Sequence, residues 1–221
     1  MTQLDTLSYW RGDHLPGTWG PASDLIVLDL AHMPSHPQMA RWADGAQVPT
    51  FVAARQPDAG GRRADLYDGA GRLVASQGQT HRSPGEAQPS LLRDVVQLFE
   101  LAGRAVGILV GDDVLIPEVS RTLALMGAAL LIAVAAPRVP DYLGIWREAQ
   151  QNQVIGFGGA PPSLTVPCEA DPEGTGFLPV ESLGDWVRAT LPWGSLAKVR
   201  ETALLQELNP HAYLNRPWWL P

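Results

Sequence analysis

The pattern of apolar and polar positions predicts buried strands separated by turns and short helices. Residues 23–29, 104–110 and 129–135 are short apolar runs, which is typical of strands buried on both faces. Weaker runs predict further strands at residues 1–10, 48–54, 64–67, 72–76, 95–101, 163–166 and 176–180. Helices are predicted at residues 36–45, 142–151 and 183–190. The sequence therefore predicts a mixed α/β fold.

Residues 103–137 carry the clearest local arrangement. The strand at 104–110 runs into the acidic turn Gly111-Asp112-Asp113, and a helix is predicted at 117–127. Pro117 suits the first turn of a helix because its missing N–H needs no partner there, and Glu118 lies favourably at the positive end of the helix dipole. Many α/β hydrolytic enzymes place a nucleophile in such a turn. Gly111, however, has no side chain that could attack a substrate.

Composition narrows the classes of partner. The 221 residues suit one compact domain over residues 1–221, and a net charge of −7 with a pI near 5.1 argues against nucleic acid or an anionic membrane as a partner. The apolar runs are too short to span a bilayer, and the first five residues lack signal-peptide features, so we expect a cytoplasmic protein. The lone Cys168 leaves no partner for an internal disulfide, and no cofactor is indicated.

The segment GRAVGILVGDDVLIPEVSRTLALMGAALLIAVAAP resembles the central segment of the carbon–nitrogen hydrolase family, which includes nitrilases and amidases. In that family a Gly-Arg-hydrophobic strand ends in Cys-Tyr-Asp, and Phe-Pro-Glu and an Arg-containing helix follow. Matched on Pro117-Glu118, the nucleophilic cysteine corresponds to Gly111, the tyrosine to Asp112 and the aspartate to Asp113. The resemblance implies a four-layer α-β-β-α sandwich.

Three further family positions are occupied by residues that cannot do the family's chemistry. The segment 23–30 resembles Ala-Asp-Leu-Ile-Val-Leu-Pro-Glu, which puts Leu30 at the general-base glutamate. After the predicted hairpin, Gln79 stands at the lysine, and Gln151 stands at the supporting glutamate. An amide can donate a hydrogen bond but supplies no full positive charge to an oxyanion. The resemblance therefore implies vestigial positions at Leu30, Gln79, Gly111 and Gln151, with no catalytic residue.

This combination predicts a pseudoenzyme. We expect it to bind a small ligand in the vestigial pocket, or to assemble as a homodimer or as a hetero-oligomer with a related subunit. By resemblance, the subunits would meet through the helix at 117–127 and the C-terminal tail. Neither nucleic acid nor a membrane is an expected partner.

A hydrolase with altered, metal-assisted chemistry on C–N bonds is the alternative. Asp29 and His32 follow one predicted strand, His81 comes from the former lysine loop, and Asp112 and Asp113 lie at the turn. Such strand ends can converge, and a His/Asp cluster suits zinc or a two-metal site. The spacing matches no metal motif, and an aspartate at position 113 also suits a helix cap. No metal is therefore assigned, and these residues stay candidate polar residues of a pocket.

Tryptophans offer a binding surface of another kind. Tryptophan is favoured at interfaces, so a ligand groove or a protein interface is predicted at Trp10, Trp19, Trp42, Trp218 and Trp219. The terminal pair is expected to be buried against another subunit, because an exposed pair would favour aggregation. Two other tryptophans, Trp146 and Trp186, stand among apolar neighbours of predicted helices and are expected in the core.

Overall fold

The computed structural model describes residues 3–55, 62–81, 96–134, 142–159 and 161–202. These residues form two sheets and four α-helices, which confirms the predicted α/β class. The segment 203–221, with the predicted tail and the Trp218-Trp219 pair, lies outside the described residues.

The first sheet has the strand order β12-β13-β1-β2-β3-β4-β5. Its strands are β1 (Thr6–Gly12), β2 (Leu25–Leu30), β3 (Thr50–Arg55), β4 (Arg62–Tyr67), β5 (Leu73–Gly78), β12 (Glu181–Leu183) and β13 (Trp186–Thr190). Because β1, β2 and β3 are parallel neighbours, their carboxyl ends meet at one edge of the sheet.

The second sheet has the order β11-β10-β9-β8-β7-β6. Its strands are β6 (Leu98–Leu101), β7 (Arg104–Val110), β8 (Leu130–Val134), β9 (Ile155–Gly158), β10 (Ser163–Thr165) and β11 (Phe177–Leu178). Here β7, β8 and β9 are parallel, so the second sheet also gathers three carboxyl ends at one edge. The turn after β7 therefore lies where parallel sheets commonly carry their binding sites.

Four helices accompany the sheets in the described residues, namely α1 (His36–Ala46), α2 (Pro117–Leu125), α3 (Tyr142–Asn152) and α4 (Trp193–Thr202). At the start of α1, Gln38 Oε1 accepts a hydrogen bond from the backbone N–H of Ser35 at 3.0 Å, which satisfies a donor that the helix itself cannot. Pro117 occupies the first turn of α2, as predicted. None of these helices has the length and apolar character needed to cross a bilayer.

Three groups of buried side chains hold the elements together. The largest joins the two sheets, since it contains Leu7, Val27 and Ala64 from the first and Ile108 and Ile132 from the second. A second packs α2 and α3 against the opposite face of β7 and β8, and a third packs α1 against the opposite face of β2. Each central strand therefore contributes alternate residues to two different cores.

One predicted helix is wrong. Residues 183–190 are not helical: they contain the end of β12, a turn at Gly184-Asp185, and β13. Five residues of β13 pair antiparallel with β1, from Thr6↔Thr190 to Trp10↔Trp186. Pairing with β1 decides the conformation here, and the Gly-Asp turn is a hairpin signal that the sequence already carried. The helix α4 was not predicted.

The two tryptophans expected in the core differ in burial. Trp186 is 7% exposed, but it lies on β13 rather than on a helix. Trp146 on α3 is only partly buried. Its ring stacks on Phe177 with 6.1 Å between the ring centroids, and its Nε1–H donates to the carbonyl oxygen of Thr175 at 2.9 Å. It therefore fixes the segment leading into β11 to the outside of α3.

Candidate functional site

The turn after β7 is built by a glycine with a left-handed backbone. Gly111 has φ of +62° and begins a 3-10 helix (Gly111–Leu115), which leads through Ile116 into α2. A residue with a side chain adopts this φ only with strain, so glycine suits the sharp change of direction. The turn lies at the carboxyl end of β7, at the edge where the two sheets face each other.

The space beside Gly111 is filled by two side chains, one from the first residue of β4 and one from the residue that follows β5. A Cβ atom at this position would lie 2.6 Å from Gln79 Oε1, 2.7 Å from Arg62 Nη1 and 2.8 Å from Arg62 Cδ. Both Gln79 and Arg62 are buried. The position that the resemblance assigns to a nucleophile is therefore crowded as well as lacking a side chain.

Arg62 reaches the turn from the first residue of β4, and sequence matching missed it. Side chains two residues apart on a strand lie on the same face, and Ala64 and Leu66 of β4 belong to the core between the sheets. Arg62 therefore also points between the sheets. Its Nη1 lies 3.4 Å from Asp112 Oδ1, and its side chain is 3% exposed. A buried guanidinium needs a compensating anion, and Asp112 supplies one.

Asp113 fastens the loop after β5 to the turn. Its Oδ2 accepts the backbone N–H of Thr80 at 2.8 Å, and its Oδ1 accepts the Thr80 hydroxyl at 2.8 Å and the backbone N–H of His81 at 3.0 Å. The Nδ1 atom of His81 lies 3.4 Å from the same Oδ1. Burial raises the pKa of Asp113 above its ordinary value, although the hydrogen bonds from Thr80 and His81 oppose this shift.

Asp29 is the carboxylate at the end of β2. Its Oδ2 accepts the hydroxyl of Tyr9 at 2.9 Å and lies 3.8 Å from Arg11 Nε. Tyr9 belongs to the core between the sheets, so Asp29 lies on that side of β2. Leu30 is packed with Ile26 in the cluster under α1, on the opposite side. The sequence match put Leu30 at the general base, whereas the polar residue facing between the sheets is Asp29.

Two other predicted residues lie apart from the turn. His32 is exposed, and its ring centroid lies 6.1 Å from that of His14. Gln151 is also exposed, near the end of α3. The structure thus brings together Gln79, His81, Gly111, Asp112 and Asp113, but it leaves His32 and Gln151 at the surface.

The buried carboxylate of α3 is Glu148, which the sequence match also missed. It accepts hydrogen bonds from the hydroxyl of Ser120 on α2, from Arg147 Nε at 2.8 Å and from Asn152 Nδ2 at 3.2 Å. The i, i+4 spacing of Glu148 and Asn152 on one helix face was a signal available in the sequence. This network joins α2 to α3 and so fixes the helix that begins after the turn.

The polar side chains at the turn are engaged with one another. Gly111 supplies no nucleophile, and the oxygens of Asp113 are engaged by backbone and side-chain donors. The guanidinium of Arg62 is paired with Asp112. Within the described ranges, no three His, Cys, Asp or Glu side chains are grouped as a metal site requires. Cys168 lies elsewhere, at the start of a short 3-10 helix (Cys168–Ala170).

The fold defines the class to which this structure can be compared. Solved structures of amidases of the nitrilase superfamily have the same fold. No protein-family model matches the sequence, and no curated protein matches it significantly.

The matching structures include an amidase from Nesterenkonia sp., with a TM-score of 0.65 and 17% identity, covering 99% of this chain and 97% of that one. A variant of it in complex with butyramide gives a TM-score of 0.64 and 17% identity over 99% and 98% of the two chains. In another variant, at a TM-score of 0.65 and 17% identity over 99% and 98%, the acetamide moiety of fluoroacetamide is covalently added at the active-site cysteine. At such identities the likeness demonstrates the fold alone.

Replacing Gly111 tests the crowding at the turn. Gly103 has φ of +74° with nothing within 4 Å of an added Cβ, so Gly103→Ala measures the cost of the backbone conformation alone, about 1–2 kcal/mol. Gly111→Ala adds contacts with Arg62 and Gln79 and should lower the free energy of unfolding by about 1–3 kcal/mol more. Urea unfolding of both variants measures the difference. Equal losses would mean that the space beside Gly111 is open.

The raised pKa of Asp113 gives stability a defined pH dependence. Between the ordinary value of 3.8 and the raised value, the folded state binds a proton more tightly than the unfolded state, so stability falls as pH rises through this window. The free energy of unfolding of the wild type minus that of Asp113→Asn should therefore decrease with rising pH and then level off. Urea unfolding from about pH 3 to about pH 7 measures it. An increase with pH would mean that the hydrogen bonds outweigh burial.

Proposed function

We propose that this protein is a non-catalytic homologue of the carbon–nitrogen hydrolases, which works by binding rather than by turnover. The observation that carries the proposal is the crowding of Gly111 by Arg62 and Gln79. Cysteine hydrolysis needs a thiolate, a base and an oxyanion partner within reach of one substrate atom. Here the thiolate position has no side chain, and a Cβ there would require Arg62 and Gln79 to shift.

The four-layer α-β-β-α arrangement belongs to the same proposal. It is supported by the three buried clusters, because one joins the two sheets while the other two pack α1 on one outer face and α2 with α3 on the other. The likeness to the Nesterenkonia amidase over almost the whole chain supports it too.

Fluoroacetamide and butyramide test the absence of turnover, because both are bound by the structurally similar amidase or its variants. We expect the intact mass of this protein to stay unchanged after incubation with fluoroacetamide, and ammonia release from butyramide to equal that of heat-denatured protein. The variant of the Nesterenkonia amidase that forms the adduct is the positive control for labelling. Cys168→Ser is the control variant, because it removes the single thiol that fluoroacetamide could label. Ammonia release above the control, or an acetamide adduct that persists in Cys168→Ser, would contradict the proposal.

Binding of a second copy through the helices outside the second sheet is the mode that we favour. Leu115 and Leu143 are 42% and 53% exposed. Leu143 is next in sequence to Gly144, where an added Cβ would lie 3.8 Å from Leu115 Cδ2, so both leucines belong to the same region of the surface. Adjacent exposed leucines are typical of a protein interface. A ligand in the vestigial pocket is less favoured, because Arg62 and Gln79 occupy the space beside the turn.

A homodimer of this kind makes a direct prediction. The native mass of the wild type should equal two chains, and Leu115→Lys with Leu143→Lys should reduce it to one chain while circular dichroism stays unchanged, because buried like charges oppose association. Leu73→Lys with Val74→Lys is the matched control, since these residues of β5 are 45% and 58% exposed in the other sheet. It should leave the mass unchanged. A wild-type mass of one chain would rule out the homodimer.

The metal-assisted hydrolase gains no specific support. Its four candidate residues are held by protein partners: Asp29 by Tyr9, Asp112 by Arg62, and His81 together with Asp113. Within the described residues, no three of these side chains are grouped as a metal site requires.

A further inference from the structure

A cleft of about 520 Å³ opens on the outer side of the first sheet, apart from the turn at Gly111. One wall is the loop at residues 13–18, and another is the turn between β12 and β13 at residues 183–185. Trp10 of β1 and Trp186 of β13 complete the lining, and they are directly opposite each other in the antiparallel pair. Opposite residues of such a pair lie on the same face, so both tryptophan side chains project from the outer face of the sheet.

Two glycines fit the loop closely against these indoles. A Cβ at Gly12 would lie 2.1 Å from Trp10 Cη2, and a Cβ at Gly20 would lie 2.5 Å from Trp186 Cε3. Gly12 and Gly20 stand at the two ends of the loop, so the loop is in contact with a tryptophan ring at each end. The partly buried ring of Trp10 is therefore held in place before a ligand arrives, which reduces the entropy cost of binding.

The helix α1 holds the middle of the loop. The Nε1–H of Trp42 donates to the carbonyl oxygen of Pro16 at 3.2 Å, and the rings of Trp42 and Trp19 lie 4.9 Å apart between centroids. The predicted binding surface at Trp10, Trp19 and Trp42 therefore divides into two parts. Trp10 lines the cleft, while Trp19 and Trp42 support the loop that forms its wall.

The charge of the cleft is negative. Asp13 and Asp185 lie on its two opposing walls and are exposed, and the described lining residues include His14 but neither lysine nor arginine. Arg11 is next to the loop, but it faces the other side of β1, where it pairs with Asp29. The combination of tryptophan rings with two carboxylates is the chemistry that recognises an organic cation.

We propose that the cleft at Trp10, Trp186, Asp13 and Asp185 is a binding site for a small organic cation, a quaternary or primary ammonium compound. Its volume is within the range of small-molecule sites. The carboxylates would attract the charge, and the ring of Trp10, which is only partly buried, would contact the apolar groups around the nitrogen. The buried ring of Trp186 would form the floor of the cleft. The inference is independent of the proposed absence of turnover, because it uses the opposite face of the first sheet.

Choline and butylamine are the probes, each compared with its uncharged isostere, in which carbon replaces the cationic nitrogen. Titration calorimetry should give an affinity for at least one cation that is about fivefold or more above that of its isostere. Equal affinities would overturn the proposal, because the cleft would then recognise apolar shape alone. Failure of both cations to bind would overturn it as well.

Asp13→Asn combined with Asp185→Asn tests the site itself. Both residues are exposed, so the double variant should fold, and we expect it to weaken binding of the better cation about fivefold or more while leaving the isostere unaffected. Glu100→Gln with Glu118→Gln removes two exposed carboxylates from the side of the second sheet and should leave the affinity unchanged. If both double variants lose affinity for the cation equally, the effect comes from net charge. That result would contradict a site in the cleft.

Discussion

The core shared by the two sheets is the constraint on which the polar sites depend. It fixes which alternate residues of β1 and β2 point between the sheets, and the others must then face outward. Tyr9 and Asp29 consequently meet inside and form a hydrogen bond, whereas Trp10 and Leu30 point to the outer face. The two faces of the sheet at β1 and β2 thus differ in chemistry: the inner face is polar at this end, and the outer face carries the aromatic cleft.

The interior turn is a set of mutually dependent contacts. Glycine at position 111 leaves space that Arg62 and Gln79 occupy, and the buried guanidinium is compensated by Asp112. Next to this pair, Asp113 satisfies two backbone N–H groups of the loop that carries His81. Removing one member of such a set leaves a buried charge or donor without its partner, which costs more than the contact contributes. These contacts around Gly111 therefore stabilise the junction between the two sheets.

The sequence predicted the fold better than the site. Apolar runs and the Pro117-Glu118 helix start are local signals, and β7 and α2 begin where they indicated. Motif matching also put Gln79 next to the turn. It could not find Arg62, because the residue reaches Gly111 only through the pairing of distant strands. Gln151 was favoured over Glu148 because matching by motif ignores which face of α3 packs against α2.

The position of Leu30 shows why a motif match and a spatial match differ. Leu30 follows Ile26 and Leu28 at the two-residue spacing of a strand, so all three face the cluster under α1. A glutamate at this position would bury a carboxylate among apolar side chains, with its charge directed away from Gly111. The carboxylate already available between the sheets is Asp29, which Tyr9 and Arg11 hold. A base at this edge would therefore require releasing Asp29 from those partners, and a side chain at position 111 would require moving Arg62. The packing of these side chains as a whole, rather than the identity of any one of them, thus keeps the space beside Gly111 filled.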